Sequence, residues 1–111
     1  MAEYKRYITQ VQENGNVMIS EDVVSSIVAN AAVDVEGVDS LVTRKNWGKS
    51  IKILIAEDNA LTIDCNISVK YGQSVVSVAK NVQEAVTNAV ESMTGVKVAV
   101  MNVNVCGIGR Q

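Results

Sequence analysis

The sequence of 111 residues contains no histidine. This absence removes the side chain that most often serves as a general base or a metal ligand, and it excludes Ser-His and Cys-His nucleophiles. No GxxxxGK[ST] loop occurs, and Gly107 and Gly109 lie at the chain end with no helix after them to bind phosphate. The acidic residues Asp34, Glu36 and Asp39 do not have the spacing of a calcium loop. We therefore expect no enzymatic activity, no cofactor and no metal site.

Long hydrophobic runs are also missing. The apolar runs are three or four residues long, whereas a membrane-spanning helix needs about 18 or more. No apolar signal-peptide core follows Lys5 and Arg6. We therefore expect a cytoplasmic protein with no transmembrane segment.

Phenylalanine is absent, so the core must consist mostly of Val, Ile and Ala. The net charge of −2 argues against nucleic acid as the main ligand, because phosphate binding needs a concentrated basic surface. The two cysteines form no CxxC pair. Cys65 alternates in phase with Ile63 and Ile67, which predicts a buried core thiol, and Cys106 has no obvious partner.

Residues 71–105 give the clearest folding signal. An amphipathic helix is predicted to start from Gln73 or Ser74 and to end before Gly95, with a strand over 97–105 after it. The predicted buried half of this helix consists of Val75, Val78, Ala79, Val82, Ala85, Val86, Ala89, Val90 and Met93.

The earlier part of the chain repeats this pattern. A short strand over 16–19 leads to the N-cap Ser20, and the helix after it is predicted to end near Glu36, before Gly37. Strands are predicted over 38–43, 50–57 and 60–70, with a tight turn at Asp58 and Asn59. Strict alternation in the third of these strands predicts one face packed on the core and one solvated face.

The order of these elements predicts an α+β fold, β-α-β-β-β-α-β, in which two helices pack on one face of a mixed sheet. The three middle strands are expected to form an antiparallel meander. Residues 16–108 would form a single domain, and residues 1–15 a flexible N-terminal arm or an edge strand.

Two sets of residues are candidates for an interaction surface. The predicted loop with Arg44, Lys45, Trp47 and Lys49 could bind an acidic partner, an anionic lipid headgroup or a nucleobase. Alternatively, Trp47 folds back onto the core and the charges stay solvated. In the last strand, simple alternation puts Val98 and Val100 on the polar face with Asn102 and Asn104, where two exposed valines would suit a partner.

Three segments together resemble the alkaline shock protein family, the envelope stress response proteins of Gram-positive bacteria. They are GNVMISEDVVSSIVANAAVDVEGV, YGQSVVSVAKNVQEAVTNAVESMTG and VNVCGI, and the likeness covers residues 15–108. The resemblance implies a small intracellular protein without known enzymatic activity, linked to envelope or alkaline stress. It further implies self-association in some members, and membrane contact only through a separate anchor protein.

The leading hypothesis is a non-enzymatic cytoplasmic interaction module that acts through a protein partner or through self-association. One alternative is a nucleic-acid-binding module that uses the 44–49 loop. Another is a small acyl-ligand binder with its ligand between helices and sheet. The sequence identifies neither the partner nor the oligomeric state.

Overall fold

The computed structural model describes residues 4–43 and 50–110. Within these residues, six strands and two helices follow one another in the order β1 (Tyr7–Gln12), β2 (Gly15–Ser20), α1 (Glu21–Val33), β3 (Val38–Leu41), β4 (Ile51–Ile55), β5 (Leu61–Val69), α2 (Val75–Thr94) and β6 (Val98–Ile108).

The predicted α+β fold is confirmed. Strand β5 is the centre of a mixed sheet in which β6 pairs with it in parallel and β3 and β4 pair with it in antiparallel orientation. Helix α1 packs over β3 and β4, helix α2 packs over β6, and the two helices contact each other. Both helices therefore cover the same face of the sheet.

Strands β3 and β4 lie end to end, which differs from the predicted meander. Strand β4 pairs with the first half of β5, from Leu61 to Cys65, and β3 pairs with the second half, from Ile67 to Val69. Because β6 occupies the other edge of β5 along its whole length, β3 and β4 must share one edge. The sheet is therefore three strands wide, and its two outer edges belong to β6 and to the β3/β4 pair.

Capping residues set the ends of both helices. The Ser20 and Ser74 side chains accept hydrogen bonds from the backbone N–H groups of Val23 and Ser77, which otherwise lack helical partners. Gly95 ends α2 in the left-handed conformation, at φ 73°. Helix α1 ends at Val33, three residues before the predicted end, because the chain turns through Asp34 to Gly37, whose φ is 99°.

The first strand pairs with β2 in a separate two-stranded sheet, so residues 7–12 form a strand. Isolated hairpins are marginally stable, and this one is fixed to the domain by the buried Ile8 and by Asn59 in the β4–β5 turn. The Asn59 side-chain amide donates to the Thr9 carbonyl at 2.9 Å and accepts from the Thr9 N–H at 3.3 Å. Its φ of 70° is left-handed. The Asn59 amide thus makes the two backbone hydrogen bonds with Thr9 that a neighbouring strand would otherwise make.

The two faces of β5 differ as the alternation predicts, with one correction. The helix-facing residues are fully buried: Leu61, Ile63, Cys65, Ile67 and Val69. On the other face Thr62 and Asp64 are partly exposed, but Asn66 and Ser68 are buried, so only part of the predicted solvated face is solvated. Asn66 accepts from Asn104 Nδ2 at 2.9 Å, and its own Nδ2 has no hydrogen-bond partner in the described part of the chain.

Candidate interaction surface at the edge of β6

A β-bulge at Ala99 separates the two valines that were predicted to share a face. Val98 pairs with the buried Leu61 and packs against the core, whereas Val100 pairs with Thr62. The extra residue shifts the alternation by one position. Val100 is 43% exposed, and of the two predicted valines it alone belongs to the exposed polar face.

Backbone hydrogen bonds establish which groups of β6 face away from the sheet. The Asn66 N–H and C=O both bond to the β3/β4 side, through Ser50 and Val42. In a strand these groups alternate in direction, so Cys65 and Ile67 bond to β6, as Leu61 and Val69 do through Lys97 and Gly109. By the parallel register, the outward-facing residues of β6 are Val98, Met101, Val103, Val105 and Ile108.

Side chains of α2 close the first part of this outer edge. A Glu91 carboxylate oxygen accepts from the Val98 N–H at 3.0 Å, and Gln83 Nε2 donates to the Met101 carbonyl at 3.0 Å. Both residues project from one side of α2 over the strand. The helix therefore supplies the hydrogen-bond partners that a further strand would otherwise supply.

Within residues 4–43 and 50–110, the second part of the edge has no such closure. The outward N–H and C=O groups of Val103 and Val105 have no partner among the described residues. The strand is eleven residues long and contains no charged residue. Natural sheets normally protect an exposed edge with charges, proline or short length. The edge at 103–105 is therefore an available site for strand addition.

Residues 9–110 match the alkaline shock protein 23 family, which is described as having a cell envelope-related function. The chain belongs to this family.

Its relatives include two uncharacterized proteins of Gram-positive bacteria. Spy1535 of Streptococcus pyogenes serotype M6 is 33% identical over 102 residues, which cover 85% of this chain and 79% of the relative. YqhY of Bacillus subtilis is 30% identical over 105 residues, which cover 85% and 77%.

Solved structures of MamM CTD variants have a similar fold. Two of them superpose with a TM-score of 0.56 at 20% identity, covering 82% of this chain and 96% or 98% of theirs. At this identity the likeness concerns the fold alone. Other MamM CTD variants with this fold are nickel and copper forms. The described residues of this family member contain no group of three or more His, Cys, Asp or Glu side chains that could hold a metal ion.

The predicted loop residues Arg44, Lys45, Trp47 and Lys49 lie outside the described residues. No helix in the described part of this family member is long and apolar enough to cross a membrane. The two cysteines differ in environment, since Cys65 is fully buried and Cys106 is exposed. Burial raises the pKa of the Cys65 thiol to about 11, so this thiol is protonated at neutral pH and unreactive.

Proposed function

We propose that this chain is a non-enzymatic, cytoplasmic interaction module of the cell envelope response and that it self-associates through the outer edge of β6. The observation that carries the proposal is the open, uncharged edge at Val103 and Val105. Contact with the membrane would be indirect, through a protein partner.

Two copies can pair antiparallel across this edge about a two-fold axis at Asn104. Val103 of one copy then lies opposite Val105 of the other, and since both face outward, the two copies exchange four backbone hydrogen bonds. Asn104 of one copy then lies opposite Asn104 of the other, and no like charges lie opposite each other. The caps at Val98 and Met101 stay in place, because this register does not use those groups.

The exposed face adjoining this edge is polar and ordered by cross-strand pairs. Asn102 Nδ2 donates to Asp64 and Asn104 Nδ2 donates to Asn66, each at 2.9 Å. Val100 adds an apolar position to the same face. In a dimer this face would continue across both copies as one surface, on which a further protein could bind.

Proline at position 103 tests the proposal. Val103→Pro removes an outward N–H and none of the bonds to β5, which is the position where an edge strand tolerates proline. We expect the wild-type chain to form dimers or larger species in analytical ultracentrifugation and the variant to be monomeric. Ile53→Pro is the matched control, because it removes an outward N–H from the opposite edge of the sheet, and it should leave self-association intact.

Amide hydrogen exchange of the unmodified chain gives a readout that needs no substitution. The Val103 and Val105 amides should be protected at high protein concentration and exchange rapidly after dilution. A chain that stays monomeric at all concentrations, or exchange at these two amides that ignores concentration, would overturn the proposal.

A further inference from the structure

The opposite edge of the sheet has a groove of its own, between the outer edge of β4 and the start of α1. Along this strand, Ser50 bonds toward β5, so Lys52 and Leu54 do the same, and Ile51, Ile53 and Ile55 direct their N–H and C=O groups outward. The outward groups of Ile51 and Ile53 have no backbone partner in the described residues.

The chain itself already uses one end of this edge. The Lys5 N–H donates to the Ile55 carbonyl at 2.7 Å, in an isolated antiparallel bridge. At Arg6 the chain turns away, and the Arg6 carbonyl accepts from the Glu21 N–H. Strand addition on β4 is thus begun by an intramolecular contact at Ile55 and left incomplete at Ile53 and Ile51.

Helix α1 forms the second wall of the groove. Glu21, Asp22 and Ser25 line it opposite residues 51–54 of β4. The same groove continues beneath Ser26 and Ala29 toward Leu41 of β3, and Asp22, Ser25 and Ile51 line both parts. A strand edge beside a helix is an arrangement in which backbone bonds hold an extended peptide and the helix contacts its alternate side chains.

The carboxylates on the helix side of the groove would favour a basic occupant. A residue placed opposite Ile51 or Ile53 has its side chain on the helix side of the sheet, where Glu21 and Asp22 lie. A residue opposite Lys52 has its side chain on the other side, where Lys52 is in register with Asp64. A second copy that paired through both Ile51 and Ile53 of its own β4 would set Lys52 opposite Lys52, and like charges directly opposite are unfavourable.

We propose that the groove between α1 and β4 binds an extended segment of a partner protein that carries Arg or Lys at alternate positions. The segment adds to β4 as a further strand, bonds to the backbone of Ile51 and Ile53, and directs its basic side chains to Glu21 and Asp22. This site is separate from the β6 edge and does not require self-association.

Synthetic peptides test this inference on the full chain. The probe is acetyl-Val-Arg-Thr-Arg-Val-amide, and the matched control has Glu in place of both Arg residues. Chemical shifts of the backbone amides report where each one binds. We expect the Arg peptide to shift the Ile51 and Ile53 amides saturably. The Glu peptide, and an Arg peptide N-methylated at its hydrogen-bonding amides, should leave them unchanged.

Isosteric removal of the two carboxylates tests the helix wall. Glu21→Gln with Asp22→Asn should weaken binding of the Arg peptide about threefold to tenfold, as expected for two partly exposed ion pairs. Glu84→Gln, an exposed site on α2 outside the groove, should leave binding unchanged. Ile53→Pro should abolish binding while Val103→Pro preserves it, which is the reverse of their effects on self-association.

Several outcomes would overturn the inference. Equal binding of the Arg and Glu peptides would remove the charge argument, and shifts at Val103 and Val105 instead of Ile51 and Ile53 would place the peptide on the other edge. Shifts of Ile51 and Ile53 that follow protein concentration without peptide would make a second copy the occupant. A wild-type chain that binds the Arg peptide but does not self-associate would refute the proposed function and leave this inference standing.

Discussion

The two outer edges of the main sheet differ in length, in charge and in how the chain closes them. Strand β6 is eleven residues long and uncharged, and α2 closes only its first part, through Glu91 and Gln83. The opposite edge is divided between two short strands and carries Lys52, and Lys5 closes it at one end.

This difference bears on which partner each edge can accept. An uncharged edge meets its own copy without repulsion, and its two open valines are self-complementary about Asn104. The β4 edge lies beside Glu21 and Asp22, and a symmetric pair through Ile51 and Ile53 would set Lys52 opposite Lys52. Backbone hydrogen bonds alone would let either edge pair with any strand. The side chains beside each edge therefore determine which partner strand it binds.

The largest expected effect comes from the strand that both edges depend on. Ile67 is fully buried in β5, where β3 pairs on one side and β6 on the other. Ile67→Ala should lower the free energy of unfolding by roughly 2–5 kcal/mol because it leaves a cavity in the core. Urea denaturation followed by circular dichroism measures this. Val100→Ala, at an exposed position, is the control. A loss below about 1 kcal/mol for Ile67→Ala would contradict the placement of Ile67 in a core that both edges of the sheet share.

Much of the fold could be predicted from the sequence because its signals are local. Ser20 and Gly95 cap the helices where predicted, Ser74 is one of the two predicted starts of α2, and the turn at Asp58 and Asn59 is confirmed. These positions reflect the conformational preferences of single residues and their immediate neighbours.

The strand neighbours could not be predicted in the same way. Alternation tells which face a residue occupies, but it does not tell which strand lies beside it. The end-to-end placement of β3 and β4 therefore escaped prediction. The bulge at Ala99 has no sequence signal either, because a run of small apolar residues fits both registers, and the pairing of Val98 with Leu61 decides between them.

The helical periodicity of α2 also overstated its buried face. Met93 was predicted to be buried but is 70% exposed. The fully packed stripe is narrower and consists of Val78, Val82, Val86, Val90 and Thr94, each four residues from the next. The closure of β6 by side chains of α2 could not be predicted for a related reason. Glu91 and Gln83 are polar residues outside the predicted buried half of the helix, and a polar residue at such a position is ordinarily expected to be solvated.

The two cysteines compare the central strand β5, where Cys65 is buried, with the edge strand β6, where Cys106 is exposed. The pH dependence of stability reports on Cys65. Its pKa of about 11 in the folded chain exceeds the ordinary value of 9.0, since burial disfavours the thiolate. The contribution of the protonated Cys65 thiol to the free energy of unfolding is therefore fully present below about pH 9. It is lost as the pH rises toward 11, which lowers the free energy of unfolding by up to about 3 kcal/mol. Urea unfolding at several pH values measures this, with Cys65→Ala as the reference for other groups.

Thiol labelling completes this comparison at neutral pH. Cys106 in β6 should react with a disulfide reagent at once, whereas Cys65 should react only after unfolding. Equal labelling rates in the folded chain, or a Cys65→Ala variant with the same loss of stability at high pH as the wild type, would contradict the buried placement of this thiol.

Releasing the β1–β2 hairpin from Asn59 should open the β4 edge further, so that it becomes more like the open part of the β6 edge. Asn59 bonds to Thr9 and also accepts from Lys5 Nζ at 2.6 Å. Asn59→Ala removes these bonds and puts alanine at a left-handed position, which together should lower stability by about 2 kcal/mol. With Lys5 released from Ile55, the β4 edge gains a position, and the Arg peptide should bind more tightly. Unchanged hydrogen exchange of β1 amides would show that Asn59 does not hold the hairpin.

The smallest expected effect concerns the closure of β6. The bond from Gln83 to the Met101 carbonyl is exposed, so Gln83→Ala should change stability by no more than about 0.5 kcal/mol. The substitution nevertheless opens another acceptor next to the free stretch at Val103. Sedimentation should show self-association that is at least as strong as in the wild type, and the Arg peptide should bind as before, because Gln83 lies far from β4. Weaker self-association would mean that Gln83 supports the interface instead of limiting it, and the division of β6 into a closed and an open part would then be wrong.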